Sequence, residues 1–181
     1  MKINEQTMLN AVEAALLDDD GSCRDINFEE CISTSGAIGV LHVLAAYWQL
    51  RQAKTYSGED IPYAALARFL EQRTGALSTL WDDGSNPKHI QAFFYWDAAG
   101  SIFCELTFFP QDFDRAHFSL NEFLRMLSKL VSAAHSKEYY VRFENASWQH
   151  GKPMKHGNVI LSHKKFPLPI AGAAMNANGT I

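Results

Sequence analysis

Residues 90–109 read IQAFFYWDAAGSIFCELTFF, two runs rich in aromatic and β-branched residues on either side of the short connector DAAG. Such runs predict two strands, 90–96 and 101–109, that pair as a hairpin, and Pro110 closes the second strand. Alternate residues of a strand point to opposite faces of a sheet. The face of the second strand that is expected to be buried carries Ile102, Cys104, Leu106 and Phe108. The opposite face, expected to be only partly covered, carries Phe103, Glu105, Thr107 and Phe109.

Three helices are predicted before this hairpin. The first covers residues 5–17, where apolar residues recur at helical spacing, and the acidic DDDG at 18–21 ends it. The second starts at the potential N-caps of residues 33–35 and extends to about residue 53. The third begins at Pro62, which suits the first turn of a helix, and lasts until the DDGSNP at 82–87. The expected buried residues of the second helix are Leu41, Leu44, Ala45 and Trp48, and those of the third are Tyr63, Leu66, Phe69, Leu70 and Leu77.

A capping box marks the start of a fourth helix after the hairpin. Ser119 and Glu122 are spaced so that each side chain can satisfy an orphan amide at the other's position, and an apolar stripe then continues to about His135. Strands are predicted in 138–148 and 158–163, and residues 170–181 are expected to form a flexible tail. The whole pattern predicts a single α+β domain over residues 1–181. Its N-terminal helices precede an antiparallel sheet built from the hairpin, a helix and two further strands.

Composition and charge exclude several classes of protein. The chain has 181 residues, of which 47% are hydrophobic, so it can bury a core without disulfides or a metal. It lacks the continuous apolar core of a secretion signal and the roughly 18 apolar residues of a membrane span, so we expect a cytoplasmic protein. Residues 1–33 hold eight carboxylates against two basic residues. An acidic surface favours a basic partner and argues against nucleic-acid binding.

No established catalytic or cofactor motif is present. The sequence contains no GxSxG, phosphate-binding loop, GxGxxG or HExxH pattern. Its cysteines have no CxxC spacing, and three histidines near the C-terminus fit no standard zinc pattern: Cys23, Cys31 and Cys104, and His150, His156 and His163. We therefore predict no cofactor and no metal. A cysteine activated by a histidine that is distant in sequence remains an alternative.

The stretch EYYVRFENASW at 138–148 allows two interpretations. In an extended strand, four residues share one face: Tyr140, Arg142, Glu144 and Trp148. Arg142 and Glu144 could form an ion pair along the strand, which at an exposed position contributes only ~0–1 kcal/mol. The same four residues could instead form a recognition surface, because Tyr, Trp and Arg dominate binding hot spots.

Four segments follow one another as a strand ending in Phe-Pro, a capped helix, a Tyr–Arg–Glu–Asn strand ending in Trp, and an apolar strand ending in Ser-His. The segments are FFPQDFD (108–114), SLNEFLRMLSKL (119–130), EYYVRFENASW (138–148) and VILSHKKFPLP (159–169). Together they resemble the C-terminal half of bacterial immunity proteins of contact-dependent growth inhibition and related polymorphic toxin systems. The resemblance covers residues 100–169, about 40% of the chain.

This resemblance implies a cytoplasmic protein that binds the toxic C-terminal domain of a cognate effector and blocks it. Such toxins are often nucleases with basic substrate grooves, so the partner is expected to be basic and to meet acidic loops. The candidate partner-binding residues are Asp18, Asp19, Asp20, Asp82, Asp83, Asp112, Asp114, Tyr140, Arg142, Glu144 and Trp148. The alternatives are a small enzyme with an unrecognised Cys or His centre and a regulatory or scaffold protein with another partner. The sequence leaves the oligomeric state and the identity of the toxin open.

Overall fold

The computed structural model describes residues 5–28, 31–72, 75–84, 86–96, 101–144, 159–164 and 166. The strands are β1 (Arg24–Asn27), β2 (Gln49–Thr55), β3 (Ala76–Asp82), β4 (Ile90–Trp96), β5 (Ile102–Phe108), β6 (Tyr140–Phe143) and β7 (Val159–Ser162). They form one sheet in the order β2-β3-β4-β5-β1-β6-β7, and every neighbouring pair is antiparallel. The helices are α1 (Glu5–Leu17), α2 (Thr34–Tyr47), α3 (Leu66–Glu71) and α4 (Leu120–Ala133). The predicted α+β class is confirmed.

The hairpin lies where the sequence predicts it. β4 and β5 pair from Gln91 opposite Thr107 to Trp96 opposite Ile102. Every second residue of β5 is buried and the residues between are half-buried. The fourth helix is also confirmed, since the Ser119 hydroxyl accepts a hydrogen bond of 3.4 Å from the Glu122 N–H. The last strand is confirmed as β7.

The second and third helices are shorter than predicted. α2 ends at Tyr47 because Trp48 turns to extended backbone, with φ −137° and ψ 164°, and the chain continues as β2. Two residues that were predicted to be buried, Ala45 on the second helix and Tyr63 on the third, are exposed. α3 ends at Glu71, and Leu77 lies in β3 instead of on a helix. The predicted helical extensions are wrong because residues 49–55 and 76–82 satisfy their backbone hydrogen bonds by pairing with each other.

The two faces of the sheet differ in chemistry. The inner face carries the apolar side chains Ile26, Leu106 and Val141, which lie opposite one another on three neighbouring strands. These residues belong to one core cluster with buried residues of all four helices. The outer face carries the alternate residues of the same strands, among them Asp25 and Glu105. Among the described residues, no helix is long and apolar enough to span a membrane.

A buried arginine fixes α1 over the sheet. Arg24, at 0% exposure, donates from Nε to the Ala15 carbonyl (3.0 Å) and from Nη2 to the Asp18 carbonyl (2.7 Å). These carbonyls belong to the C-terminal end of the helix, where backbone oxygens lack partners within the helix. Arg24 therefore places the following acidic turn, residues 18–20, beside the start of β1.

The end of the chain leaves two predictions untested by the structure. The strand predicted for 138–148 is present as β6, residues 140–143, and residues 145–158, with Trp148 among them, lie outside the described part. Residues 170–181, the predicted flexible tail, also lie outside it. That the whole chain is a single domain stays a prediction.

Candidate partner-binding surfaces

The three predicted acidic loops meet at one end of the sheet. β3 ends at Asp82, and β5 ends at Phe108, directly before the turn that contains Asp112. β1 starts at Arg24, opposite Phe108, so the acidic turn that precedes β1 reaches the same end. We call this region the acidic end and define it by seven carboxylates: Asp18, Asp19, Asp20, Asp82, Asp83, Asp112 and Asp114.

His89 joins two of the loops. Its Nε2 lies 2.9 Å from Oδ1 of Asp82, and its Nδ1 lies 2.8 Å from Oδ1 of Asp112. The hydrogen bond with Asp112 raises the pKa of His89 above its usual value, which favours the imidazolium that can donate to both carboxylates. Residues 82 and 112 are therefore held together across thirty positions of sequence.

Asn86 makes further connections between the same loops. Its Oδ1 accepts from the Asp114 N–H at 2.9 Å, and its Nδ2 donates to the His117 carbonyl at 3.2 Å. The acidic turn after α1 is attached by Arg115, whose Nη2 donates to the Leu17 carbonyl at 2.7 Å. The acidic end is thus one connected surface, although its carboxylates come from three separate segments.

The seven carboxylates differ in whether other residues of the chain hydrogen-bond to them. Asp20 accepts hydrogen bonds from Ser22, which together with Arg24 lower its pKa to about 2. The pKa of Asp114 is also lowered, mainly by its hydrogen bond with His117. Asp18, Asp19 and Asp83 are exposed. These last three carboxylates are the most accessible to a partner, and their role in binding stays a prediction.

Arg142 lies in a buried network between strands. It is only 5% exposed. Its Nη2 lies 2.9 Å from Glu105 Oε2 and 3.2 Å from Asp25 Oδ2, and its Nε donates to Asn27 Oδ1 at 2.7 Å. β1 lies between β5 and β6, so Arg142 finds these partners on neighbouring strands. These partners lie across the sheet on β1 and β5, whereas the first interpretation placed Arg142 in an ion pair with Glu144 along its own strand.

Glu144 contacts β1 by a different route. Its carboxylate accepts from the Cys23 N–H at 3.3 Å, and its own N–H donates to the Cys23 carbonyl at 3.2 Å. The side of Glu144 that faces away from β1 is exposed, and the residue lies at the acidic end because β6 ends there. Tyr140, from the same predicted face, is half-buried.

Sequence reasoning missed the residues that hold Arg142. Asp25 and Asn27 belong to β1, a strand of four residues that is too short for an alternating pattern to be visible. Glu105 was placed on the partly covered face of β5, but its partner could be found only from the register of the strands. Burial and the neighbouring Glu105 raise the pKa of Asp25, against the smaller effects of Thr107 and Arg142.

The cysteine alternative gains no support from the structure. Cys23 and Cys104 are buried, and burial raises the pKa of both thiols above the usual value. A nucleophilic cysteine needs the opposite shift, because the thiolate is the reactive form. Within the described ranges, no group of His, Cys, Asp and Glu residues is arranged to hold a metal.

Comparison with known proteins gives one informative likeness. No family model matches this chain, and no curated protein matches it. The fold is similar to that of a chain in the 1.75 Å crystal structure of the toxic C-terminal tip of CdiA from Pseudomonas aeruginosa in complex with immune protein. The TM-score is 0.51 with 16% identity, and the match covers 71% of this chain and 90% of the other. At this identity the likeness establishes a shared fold.

Proposed function

We propose that this chain is an immunity protein, which binds the toxic domain of a contact-dependent growth inhibition effector in the cytoplasm and blocks it. The observation that carries the proposal is the shared fold with a chain of a toxin–immune protein complex. That complex contains both a toxic domain and an immune protein, and the sequence resemblance over residues 100–169 is to immunity proteins. Two independent kinds of comparison therefore point to the same system.

The acidic end is the proposed contact for the toxin. It gathers seven carboxylates from three segments, and the formal net charge of the chain is −4. A toxin that acts on nucleic acid needs a basic groove, because the substrate backbone is negatively charged. Opposite charges on two proteins mainly raise the association rate and select the partner. A basic toxin domain is accordingly the kind of partner that this surface attracts.

Association kinetics test this proposal. The probe is the purified C-terminal toxin domain of the cognate effector, with an active-site substitution that permits its expression. We expect the variant Asp18→Asn, Asp19→Asn, Asp83→Asn to associate about 10-fold more slowly than the unmodified chain at low salt. The difference should shrink at high salt, where surface charges are screened.

A matched variant separates local charge from net charge. Glu59→Gln, Asp60→Asn, Glu71→Gln removes three exposed carboxylates away from the acidic end, and its association rate should stay within about twofold of the unmodified rate. Equal slowing by both variants would contradict a role for the acidic end. No association of the unmodified chain with the toxin domain would contradict the proposed function itself.

A further inference from the structure

The outer face of the sheet places aromatic rings beside the buried charge network. Phe93 lies directly opposite Glu105, and Tyr95 lies directly opposite Phe103 on the same pair of strands. The rings of Tyr95 and Phe93 stack with centroids 6.5 Å apart, and those of Tyr95 and Phe103 are 6.3 Å apart. Tyr95 is 44% exposed, whereas Phe93 and Phe103 are half-buried. A partly accessible carboxylate, Glu105, thus lies at the edge of an aromatic patch formed by Phe93, Tyr95 and Phe103.

The charge around Glu105 is unbalanced. Two carboxylates, Asp25 and Glu105, surround one guanidinium, that of Arg142. The basic residue Lys54 is also on the outer face, but register places it three strands from Glu105, about 14 Å away.

This negative potential affects the pKa of three neighbouring groups. Glu105 contributes to raising the pKa of Asp25, of Tyr95 and of Cys104, in addition to the effect of burial. A further cation would therefore be stabilised at this position, whereas a further anion would be repelled.

We infer that Glu105 and the rings of Phe93, Tyr95 and Phe103 form the seat for a basic side chain of the protein partner. The inference rests on the proposed function, and the partner is the toxin domain. A carboxylate can accept hydrogen bonds from an arginine or lysine, while aromatic faces attract the same cation. Arginine fits best, since its planar guanidinium can stack on a ring and donate to Glu105 at the same time.

This seat is continuous with the acidic end. The row of the outer face that contains Asp25, Thr107 and Arg142 lies between the sheet end and the row that contains Glu105. Charge at the acidic end sets how fast the partner arrives, and a buried anchor sets how long it stays. The two surfaces therefore predict different kinetic effects on one complex.

Dissociation of the toxin domain from two variants tests the inference. We expect Tyr95→Ala to dissociate about 10-fold faster than the unmodified chain, with its association rate changed less than twofold. Glu105→Gln should weaken binding about as much, and thermal unfolding shows whether it remains folded without the charge that pairs with Arg142. If Glu105→Gln does not fold, Tyr95→Ala decides the question, because its side chain is half outside the protein.

The control for Tyr95→Ala is Tyr63→Ala, because Tyr63 is 47% exposed and lies on a different part of the surface, against Trp81. A double-mutant cycle then pairs Glu105→Gln with alanine substitutions of the exposed arginines and lysines of the toxin domain. We expect one of these basic residues to couple with Glu105 by at least fivefold in Kd.

Two results with the toxin domain would overturn the inference while leaving the proposed function intact. One is a complex whose dissociation is unchanged by both Tyr95→Ala and Glu105→Gln. The other is a double-mutant cycle in which Glu105 couples to none of the exposed arginines and lysines of the toxin domain. A free chain that dimerises in light scattering, and becomes monomeric with Tyr95→Ala, would assign the seat to a second copy of this chain and would also overturn it.

Discussion

His89 connects two carboxylates that lie at the ends of different strands. Both of its ring nitrogens lie within hydrogen-bond distance of a carboxylate oxygen, on Asp82 and on Asp112. The adjacent Lys88 opposes the protonated form, but the larger contribution of Asp112 leaves the pKa raised. Protonated His89 therefore stabilises the loops of the acidic end.

This arrangement predicts a pH-dependent stability difference between the unmodified chain and His89→Gln. The raised pKa means that the stabilisation is fully present below the ordinary histidine pKa of about 6.5. It is lost as the pH rises through the folded-state pKa of His89. The gap in Tm should therefore be largest near pH 5.5 and should narrow toward pH 8.5.

The control is His42→Gln, on the exposed side of α2, which should show no comparable narrowing. A Tm difference for His89→Gln that is constant between pH 5.5 and 8.5 would contradict the ionic role of His89.

Arg142 shows what can and cannot be inferred about a single residue. Alternation along the strand correctly placed Arg142 on the face opposite the core, since its neighbour Val141 is in the core. The partners of Arg142 could not be inferred, because they lie on β1 and β5 and depend on a register that only the whole sheet defines.

α2 and α4 pack closely where Gly36 and Gly39 face the end of α4. A Cβ built on Gly36 would lie 2.5 Å from the Ala134 carbonyl oxygen, and one built on Gly39 would lie 2.6 Å from that of Ala133. Real Cβ atoms do not approach backbone oxygens so closely, so these two glycines set the distance between the helices.

Gly39→Ala is therefore expected to destabilise the protein by about 1–3 kcal/mol, because the methyl group must push the helices apart. The sign is informative, since intrinsic helix propensity alone would favour alanine over glycine by about 1 kcal/mol. Denaturant unfolding measures the change, with Ala45→Ser on the exposed side of α2 as the control, expected within about 0.5 kcal/mol of the unmodified chain. A stabilised Gly39→Ala protein would show that the crossing is looser than described.

At the scale of elements, strong local signals were sufficient and weak ones were not. Each of three elements carries a clear local pattern. α1 has apolar residues at helical spacing, the β4–β5 hairpin has alternating residues, and α4 begins with a capping box. β3 was missed although Leu77, Thr79 and Trp81 alternate as a buried strand face, because the preceding helical spacing extends to Leu77. β2 has one buried residue in seven, Ala53, which gives too little contrast for a strand to be visible.

The whole molecule brings its acidic loops together by strand direction. Because the strands pair antiparallel, β3, β5 and β6 end, and β1 starts, at the same end of the sheet. The carboxylates directly follow or precede these strands. The acidic loops themselves were identified in the sequence. That they lie together at one end of the sheet could be seen only from the strand order. The candidate seat for a basic side chain begins where the acidic end meets the outer face of the sheet.

Protection of cells from the toxin decides whether the molecule acts by occupying a partner. The toxin domain of the cognate effector is induced in three strains of a susceptible bacterium. One strain carries this chain, the second carries an unrelated immunity protein, and the third carries no immunity protein. The account predicts normal growth with this chain alone, and slower growth when the chain carries Tyr95→Ala together with the three substitutions at the acidic end. Growth arrest in the presence of the unmodified, folded chain would contradict it.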